Sequence, residues 1–422
     1  MISESLHREF ESIVGAKFVR STDCLALPRS WTTPPDLEVS PGTVSEVIAA
    51  VAAAEAAAAA MIPTGGATQL GTGYPPAFDR PQVLLSTRRL NSILDHQPDD
   101  LTITCEAGVT VAQAEQALKQ HNQTLALDGP LPDAATLGGM VAAATAGHRR
   151  IAYGTPRDTL IGMRAVMTGG IAVHGGGKVV KNVAGYDVCK LFTGSWGSLG
   201  VLTEVTFKVR PLPEVTRRLA WLASDTALAL RTGFKLHLAR LAPTAILSTS
   251  DFDGSPALII CLEGAAERVE WQAAEASRKV AEEGLAGSII DISHEQWTDL
   301  NNWSATTSAI SNAAARIACL PADLADVADV LSGIPGAFIF ADCAVGTVHL
   351  SLCDANCEAL ARVRSALPKN ANCVWTVLDL TGDCASTTPR WGDLREERLL
   401  QSGIKAALDP LDTFSPGRFQ GR

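Results

Sequence analysis

The sequence predicts an α+β protein in two parts, and three observations carry that expectation. Short strands and helices alternate from Leu37 to Leu131, glycine is concentrated between Gly138 and Gly200, and Pro211 and Pro213 stop a well-alternating strand where the composition changes. At about 100 to 200 residues per domain, 422 residues hold two or three domains. The proline pair resolves this to two: residues 1–214, with a core over about 31–214, and residues 215–400, followed by a tail at 401–422.

Each element follows from local pattern. Leu37 to Val39 reads as a brief strand. Thr43, with Glu46 three residues on, is a helix cap, and Val44 to Ala60 is alanine-rich helix. Ten of the twelve residues from Ala49 to Ala60 are alanine, which suits a helix packed tightly on a sheet. Met61-Ile62 begins a strand that runs into Pro63-Thr64-Gly65-Gly66-Ala67-Thr68. Gln82 to Ser86 and Leu101 to Glu106 read as strands, Val109 to His121 as helix, and Gly200 to Val209 as a strand of period two. Beyond Glu214, strand-like runs at Ala257 to Leu262, Ala337 to Ala341 and Thr347 to Leu352 alternate with helices at Arg268 to Gly284 and Asp323 to Leu331. The tail carries turn chemistry at Asp409-Pro410 and Pro416-Gly417-Arg418-Phe419 after a short helix.

Composition excludes several classes of function. Asp and Glu outnumber Lys and Arg by 45 to 35, and no basic block exists to hold nucleic acid or an anionic membrane. The ten cysteines show no framework spacing and the first residues no leader pattern, so a reducing cytoplasm is the expected compartment. The longest apolar run, Val47 to Ile62, is too short to span a bilayer, so any membrane contact is expected to be peripheral, through partners.

Glycine distribution is the main functional signal. Fourteen glycines fall between Gly138 and Gly200 and four between Gly65 and Gly73. The loop Pro63 to Thr68 can gather backbone N–H groups into an anion-binding nest, glycine allowing positive φ, although alone it is equally a strand-to-turn connection. It is neither a Walker loop nor a Rossmann fingerprint. Pro132 to Gly147 is a run of small uncharged residues that lets backbone approach a flat ligand. A third segment runs from Gly175 through Lys181 to Asp187 and on from Lys190 to Glu204.

In order and separation, these segments resemble the FAD-binding domain of the vanillyl-alcohol-oxidase and p-cresol-methylhydroxylase family. Lys181 to Asp187, Gly194 to Glu204, Lys405 to Pro410 and Phe414 to Phe419 are similar to the FAD-binding subunit of bacterial glycolate oxidases, relatives of D-lactate dehydrogenases. The resemblance covers residues 37–214 and the tail. It implies a two-subdomain FAD-binding fold followed by an α+β cap with an antiparallel sheet, the tail returning to the first domain. It also implies an oxidoreductase acting on a small 2-hydroxy acid such as glycolate or D-lactate, or relaying electrons, with a sister flavin subunit and an iron–sulfur subunit as partners. Pro63, Thr64, Gly65, Gly66, Ala67, Thr68 and Gln69 are then the pyrophosphate cradle. Pro132, Thr136, Gly138, Gly139, Thr145, Gly147, Tyr153 and Gly154 lie along the flavin, and Gly200, Val201 and Leu202 meet the cofactor with their backbone. No histidine lies between Pro63 and Gly73, and His148 falls where these subunits do not use one, so FAD is expected to bind non-covalently. Two alternatives stand beside this expectation: a free-standing FAD-linked alcohol oxidase or dehydrogenase, and a scaffold subunit that has lost flavin.

Oxidation of a 2-hydroxy acid requires a cation for the carboxylate and a base for the hydroxyl proton. Arg149 and Arg150 are the candidate cations, with a cofactor phosphate or a domain contact as the competing role. His148, His174 and His349 are base candidates by chemistry, and Tyr186, which with Asp187 matches a family motif, is a catalytic candidate with ordering of the loop beside the flavin as its competing role. Only His237, His294 and His349 lie beyond residue 214, at spacings that make no ligand motif, so no metal is expected. Cys343, Cys353 and Cys357 fit no common cluster spacing and read as buried apolar thiols.

Overall fold

The computed structural model describes residues 2–418 apart from 26, 32, 76–78, 178–185, 286–288, 354–356, 369–372, 381–388 and 393–394. Before Glu214 the chain builds two main sheets. In the first, Leu37–Val39, Gln82–Ser86 and Ala60–Thr64 run parallel, with Val19–Ser21 added antiparallel at the edge. The crossover between the first two chain neighbours is the alanine helix Val44–Ala56, whose cap Thr43 accepts from the Glu46 N–H at 3.1 Å. Its small residues Ala50 and Ala54 are fully buried with Val47 and Val51 against Met61, Val83 and Leu85. The helix is shorter than the alanine run, because Ala58 turns at φ 50° and Ala60 already belongs to the next strand.

The second sheet is antiparallel, in the order Ile93–Gln97, Thr102–Glu106, Val201–Lys208, Leu160–Val166, Ala172–Gly176. Helices Val111–Lys119 and Leu137–Ala143 close its core around Ile103, Leu118, Met140 and Phe207. Val166 and Val201, at the ends of their strands, pack into the core of the first sheet, so the two sheets meet there.

After Glu214 an eight-stranded antiparallel sheet forms, in the order 290–291, 215–222, 255–264, 245–252, 337–342, 347–352, 313–318, 374–380. Four helices cover one face, Thr226–Leu238, Ala266–Glu282, Leu324–Ser332 and Cys357–Ala366. The other face takes Trp297 and Leu300 of the helix His294–Ile310 and looks toward the glycine segments. The chain then returns. Helix Arg395–Leu408 packs Ile404 and Leu408 on the second core, Phe414 is buried in the first, and Met61 and Ser415 are joined by a backbone hydrogen bond of 2.8 Å.

Candidate active site

The three glycine segments and the returning tail enclose one cleft of roughly 900 Å³ of empty space. Pro63, Thr64, Gly65, Gly66, Ala67, Thr68 and Gln69 form one wall, and Thr136, Gly138, Gly139 and Thr145 the facing one. Gly200, Val201 and Leu202 lie along the floor, and Ser415 and Arg418 close it from the tail. Sequence reasoning missed Trp196, Ser415 and Arg418, which enter this wall through chain segments with no glycine pairs of their own.

The glycines serve close approach rather than left-handed backbone. A Cβ on Gly65 would lie 2.0 Å from the Thr136 hydroxyl, and one on Gly66 would lie 1.8 Å from the Ala134 carbonyl. The residue with positive φ in the loop is Ala67, at 61°, which corrects the expectation that the glycines themselves turn the nest. Gly138 packs on Ala107 in the same way, where a Cβ would come within 2.6 Å. Thr136 caps the helix behind it, accepting from the Gly139 N–H at 3.2 Å.

Four residues expected along the cofactor do not line the cleft. Pro132 accepts the Ala112 N–H at 3.0 Å, and Gly147 lines a neighbouring cavity. Gly154 turns at φ 83° against Asp158, and the Tyr153 hydroxyl donates to Glu263 at 2.8 Å. Of the third segment, residues 178–185 lie outside the described residues, and so does Phe419 of the tail.

A second, polar cavity opens beside the cleft and shares Gln69, Pro130, Thr145 and Trp196 with it. Arg150 and His148 reach it from the second glycine segment, and Arg316, Asp342 and His349 reach it from the eight-stranded sheet. Arg316 and His349 are paired across neighbouring strands, with Phe340 on the next. Burial pushes the Arg316 pKa below its ordinary value, with Arg150 adding to the fall, and among the described residues no carboxylate forms an ion pair with Arg316. An anion in the cavity would supply a counter-charge for it. His349 is driven well below the ordinary histidine value by burial and by Arg316, so it is neutral, and its buried Nδ1 has no hydrogen-bond partner among the described residues. His148 is lowered by burial as well, and its ring packs 4.9 Å from Phe340.

Arg149 and Tyr186 do not reach either cavity. Arg149 donates to Asp128 at 3.1 Å and to Glu263 at 3.1 Å, tying the second glycine segment to strand 255–264. Burial opposes its charge, but the two carboxylates outweigh that and hold it protonated. The domain contact is therefore its role. Tyr186 is 98% exposed, and His174 is exposed on the edge strand Ala172–Gly176. Cys343 is fully buried and Cys353 half-buried, both with free thiols. Among the described residues no three His, Cys, Asp or Glu side chains gather as a metal site, and no helix is long and apolar enough to cross a membrane.

Residues 35–176, which carry the first two glycine walls, match the model of a family described as FAD binding domain. They are an FAD-binding domain. The chain is 36% identical over 224 residues to the glycolate oxidase subunit GlcE of Escherichia coli, covering 51% of this chain and 57% of that protein. It is 28% identical over 260 residues to the glycolate oxidase subunit GlcD of Bacillus subtilis, covering 62% and 53%, and 32% identical over 212 residues to a D-2-hydroxyglutarate dehydrogenase of Xanthomonas citri, covering 50% and 44%. The chain thus spans about half the length of these relatives. Among solved structures it is similar to p-cresol methylhydroxylase with substrate bound, at TM-score 0.75 and 17% identity over 98% of this chain and 96% of the other. An alkyldihydroxyacetonephosphate synthase gives TM-score 0.75 at 18% identity over 99% and 85%. These likenesses establish the p-cresol-methylhydroxylase type of fold, an FAD-binding part followed by an antiparallel sheet.

The residues present fit FAD. The two walls approach so closely that a side chain on Gly65 or Gly66 would have no room, and the Thr64 hydroxyl is buried at the cleft with no hydrogen-bond partner among the described residues.

Proposed function

We propose that the chain binds FAD non-covalently in the glycine-walled cleft and oxidises the α-carbon of a small 2-hydroxy acid, such as glycolate or D-lactate, held in the adjoining polar cavity. The observation that carries this reading is Arg316, a half-buried cation facing the cavity with which, among the described residues, no carboxylate forms an ion pair. Relatives named as glycolate oxidase subunits and a D-2-hydroxyglutarate dehydrogenase support the substrate class. No histidine is among the described residues lining the cleft, which supports non-covalent attachment. Pro63 to Gln69 hold the pyrophosphate, while Thr136, Gly138, Gly139, Thr145, Gly200, Val201 and Leu202 flank the rest of the cofactor.

Bound flavin supplies the two-electron acceptor. Arg316, with Arg150 at the same wall, holds the substrate carboxylate and fixes the α-carbon. His349, neutral because it is buried beside Arg316, takes the hydroxyl proton. His148 packs against Phe340 at the cavity wall. Because two relatives are named as subunits, we place the chain in a multi-subunit assembly in the cytoplasm, with a sister flavin subunit, an iron–sulfur subunit as electron acceptor, and membrane contact only through partners.

Anaerobic mixing with glycolate or D-lactate tests the roles separately. Arg316→Gln should weaken binding about tenfold to a hundredfold, the loss of a charge-assisted contact, and leave flavin content unchanged. His349→Gln should slow flavin reduction by about 10² or more with little change in binding. Wild-type rates in both variants would remove this cavity as the substrate site.

A further inference from the structure

Arg150, the second cation of the polar cavity, already has a carboxylate beside it. Asp342 Oδ2 lies 3.8 Å from Arg150 Nε, inside ion-pair range but outside hydrogen-bond reach, and this buried oxygen has no hydrogen-bond donor among the described residues. The other oxygen, Oδ1, accepts the Ala344 and Val345 N–H groups at 3.3 and 3.2 Å, which fixes the carboxyl in place. Arg150 is fixed from its far side, donating to the Thr347 hydroxyl at 2.7 Å. A carboxylate entering beside Arg150 therefore cannot push Asp342 aside. Two carboxylates would then lie side by side at the Arg150 guanidinium, an arrangement that favours protonation of one of them.

The remaining charged and titratable neighbours decide which one. Arg316 and His349 on the adjoining strands and His148 on the loop all face the entering anion, and the Arg316 charge keeps that anion ionised. Asp128 is committed to Arg149 and contributes only repulsion toward Asp342. Burial pushes the Asp342 carboxyl up to about 7, against the pull of Arg150 and of its two backbone donors.

We infer that Asp342 takes up a proton when a carboxylate binds beside Arg150, so that anion binding to this cavity is coupled to proton uptake and the protonated Asp342 hydroxyl becomes a donor on the cavity wall. This rests on the reading of the cavity as a carboxylate site. Only a proton moves, from solvent to Oδ2, and no bond to carbon changes.

The test uses the FAD-loaded protein and 2-hydroxy-2-methylpropanoate, a hydroxy acid without an α-hydrogen, which binds without being oxidised. Titration calorimetry at pH 8 in buffers of different ionisation enthalpy counts the protons. The wild type should take up most of one proton per anion, and its Kd should rise by about tenfold per pH unit above 7. Asp342→Asn should bind the anion with no uptake and a Kd flat across that range. Uptake persisting in Asp342→Asn overturns the inference while leaving the cavity intact. A wild type that keeps its flavin but binds no anion overturns the carboxylate-site reading and the inference with it. As a second measurement on the wild type, anion addition at pH 8 should raise an infrared band of a protonated carboxyl that shifts with 13C-aspartate labelling; a band unmoved by the label also overturns it.

Discussion

Arg149 shows how a residue with catalytic chemistry is diverted to architecture. It stands between His148 and Arg150, both of which face the polar cavity, yet its own guanidinium is spent on Asp128 and Glu263. Glu263 also takes the Tyr153 hydroxyl at 2.8 Å and, from the neighbouring strand, the Thr216 hydroxyl at 3.3 Å, so one buried carboxylate gathers three donors, two of them, Arg149 and Tyr153, from across the joint between the two halves of the molecule. Removing the cation strands two buried carboxylates. Arg149→Leu should therefore cost about 3–5 kcal/mol in urea unfolding, far more than an exposed arginine would. A loss below about 1 kcal/mol would show the network to be solvent-screened. Sequence alone offered both roles for Arg149 and could not choose, because the deciding partner, Glu263, lies 114 positions away. Arg316 was missed, although a cation inside the small apolar run Ala313 to Ala318 was a readable signal: an arginine in a buried strand requires a reason.

At the level of elements, the glycine segments were legible because two backbones meeting at van der Waals distance leave a direct record, the absence of Cβ. The reason for each glycine was not legible. Gly65 faces the Thr136 side chain, which has some freedom to turn, whereas Gly66 faces the Ala134 backbone carbonyl, which has none. Gly66→Ala should accordingly weaken FAD retention more than Gly65→Ala does. Overpacking of about 1–3 kcal/mol corresponds to roughly five- to a hundredfold in Kd by flavin fluorescence titration. Equal effects would mean that the Ala134 segment yields. The eight-stranded sheet was harder to read. Leu258 to Leu262 are buried on both faces, so period-two alternation vanishes, while Val215–Leu222 carries Arg217 and Arg218 in its middle and looks like a surface segment. The helix His294–Ile310 leaves little periodic signal in the sequence because its apolar stripe is two tryptophans and a leucine, Trp297, Leu300 and Trp303, spaced among polar residues.

Over the whole molecule, the cleft that the glycine segments build is finished by the returning tail. Lys405 donates to the Ser198 carbonyl at 2.8 Å and the Phe414 carbonyl at 2.6 Å and pairs with Asp409, which pins the tail to the loop entering strand Val201–Lys208. Arg418 then donates to the Leu70 carbonyl at 2.9 Å and the Gln69 carbonyl at 3.2 Å, bracing the end of the first glycine wall. Phe414 is fully buried between Met61 and the alanine helix. Phe414→Ala should cost about 3–5 kcal/mol of stability. Since the tail is also a wall of the cleft, the same variant should lose flavin at denaturant concentrations where the wild type keeps it; coincident loss of fold and flavin at an unchanged midpoint would contradict that coupling.

The claim on which the rest depends is that this cleft holds FAD without a covalent bond. The visible spectrum of the purified chain after desalting, recorded again on the supernatant after acid precipitation, addresses it in one measurement. A flavin spectrum near one equivalent per chain, passing wholly into the supernatant, is the predicted result. A folded protein that is colourless and takes up no added FAD would contradict the claim, and flavin left in the precipitate would contradict its non-covalent form.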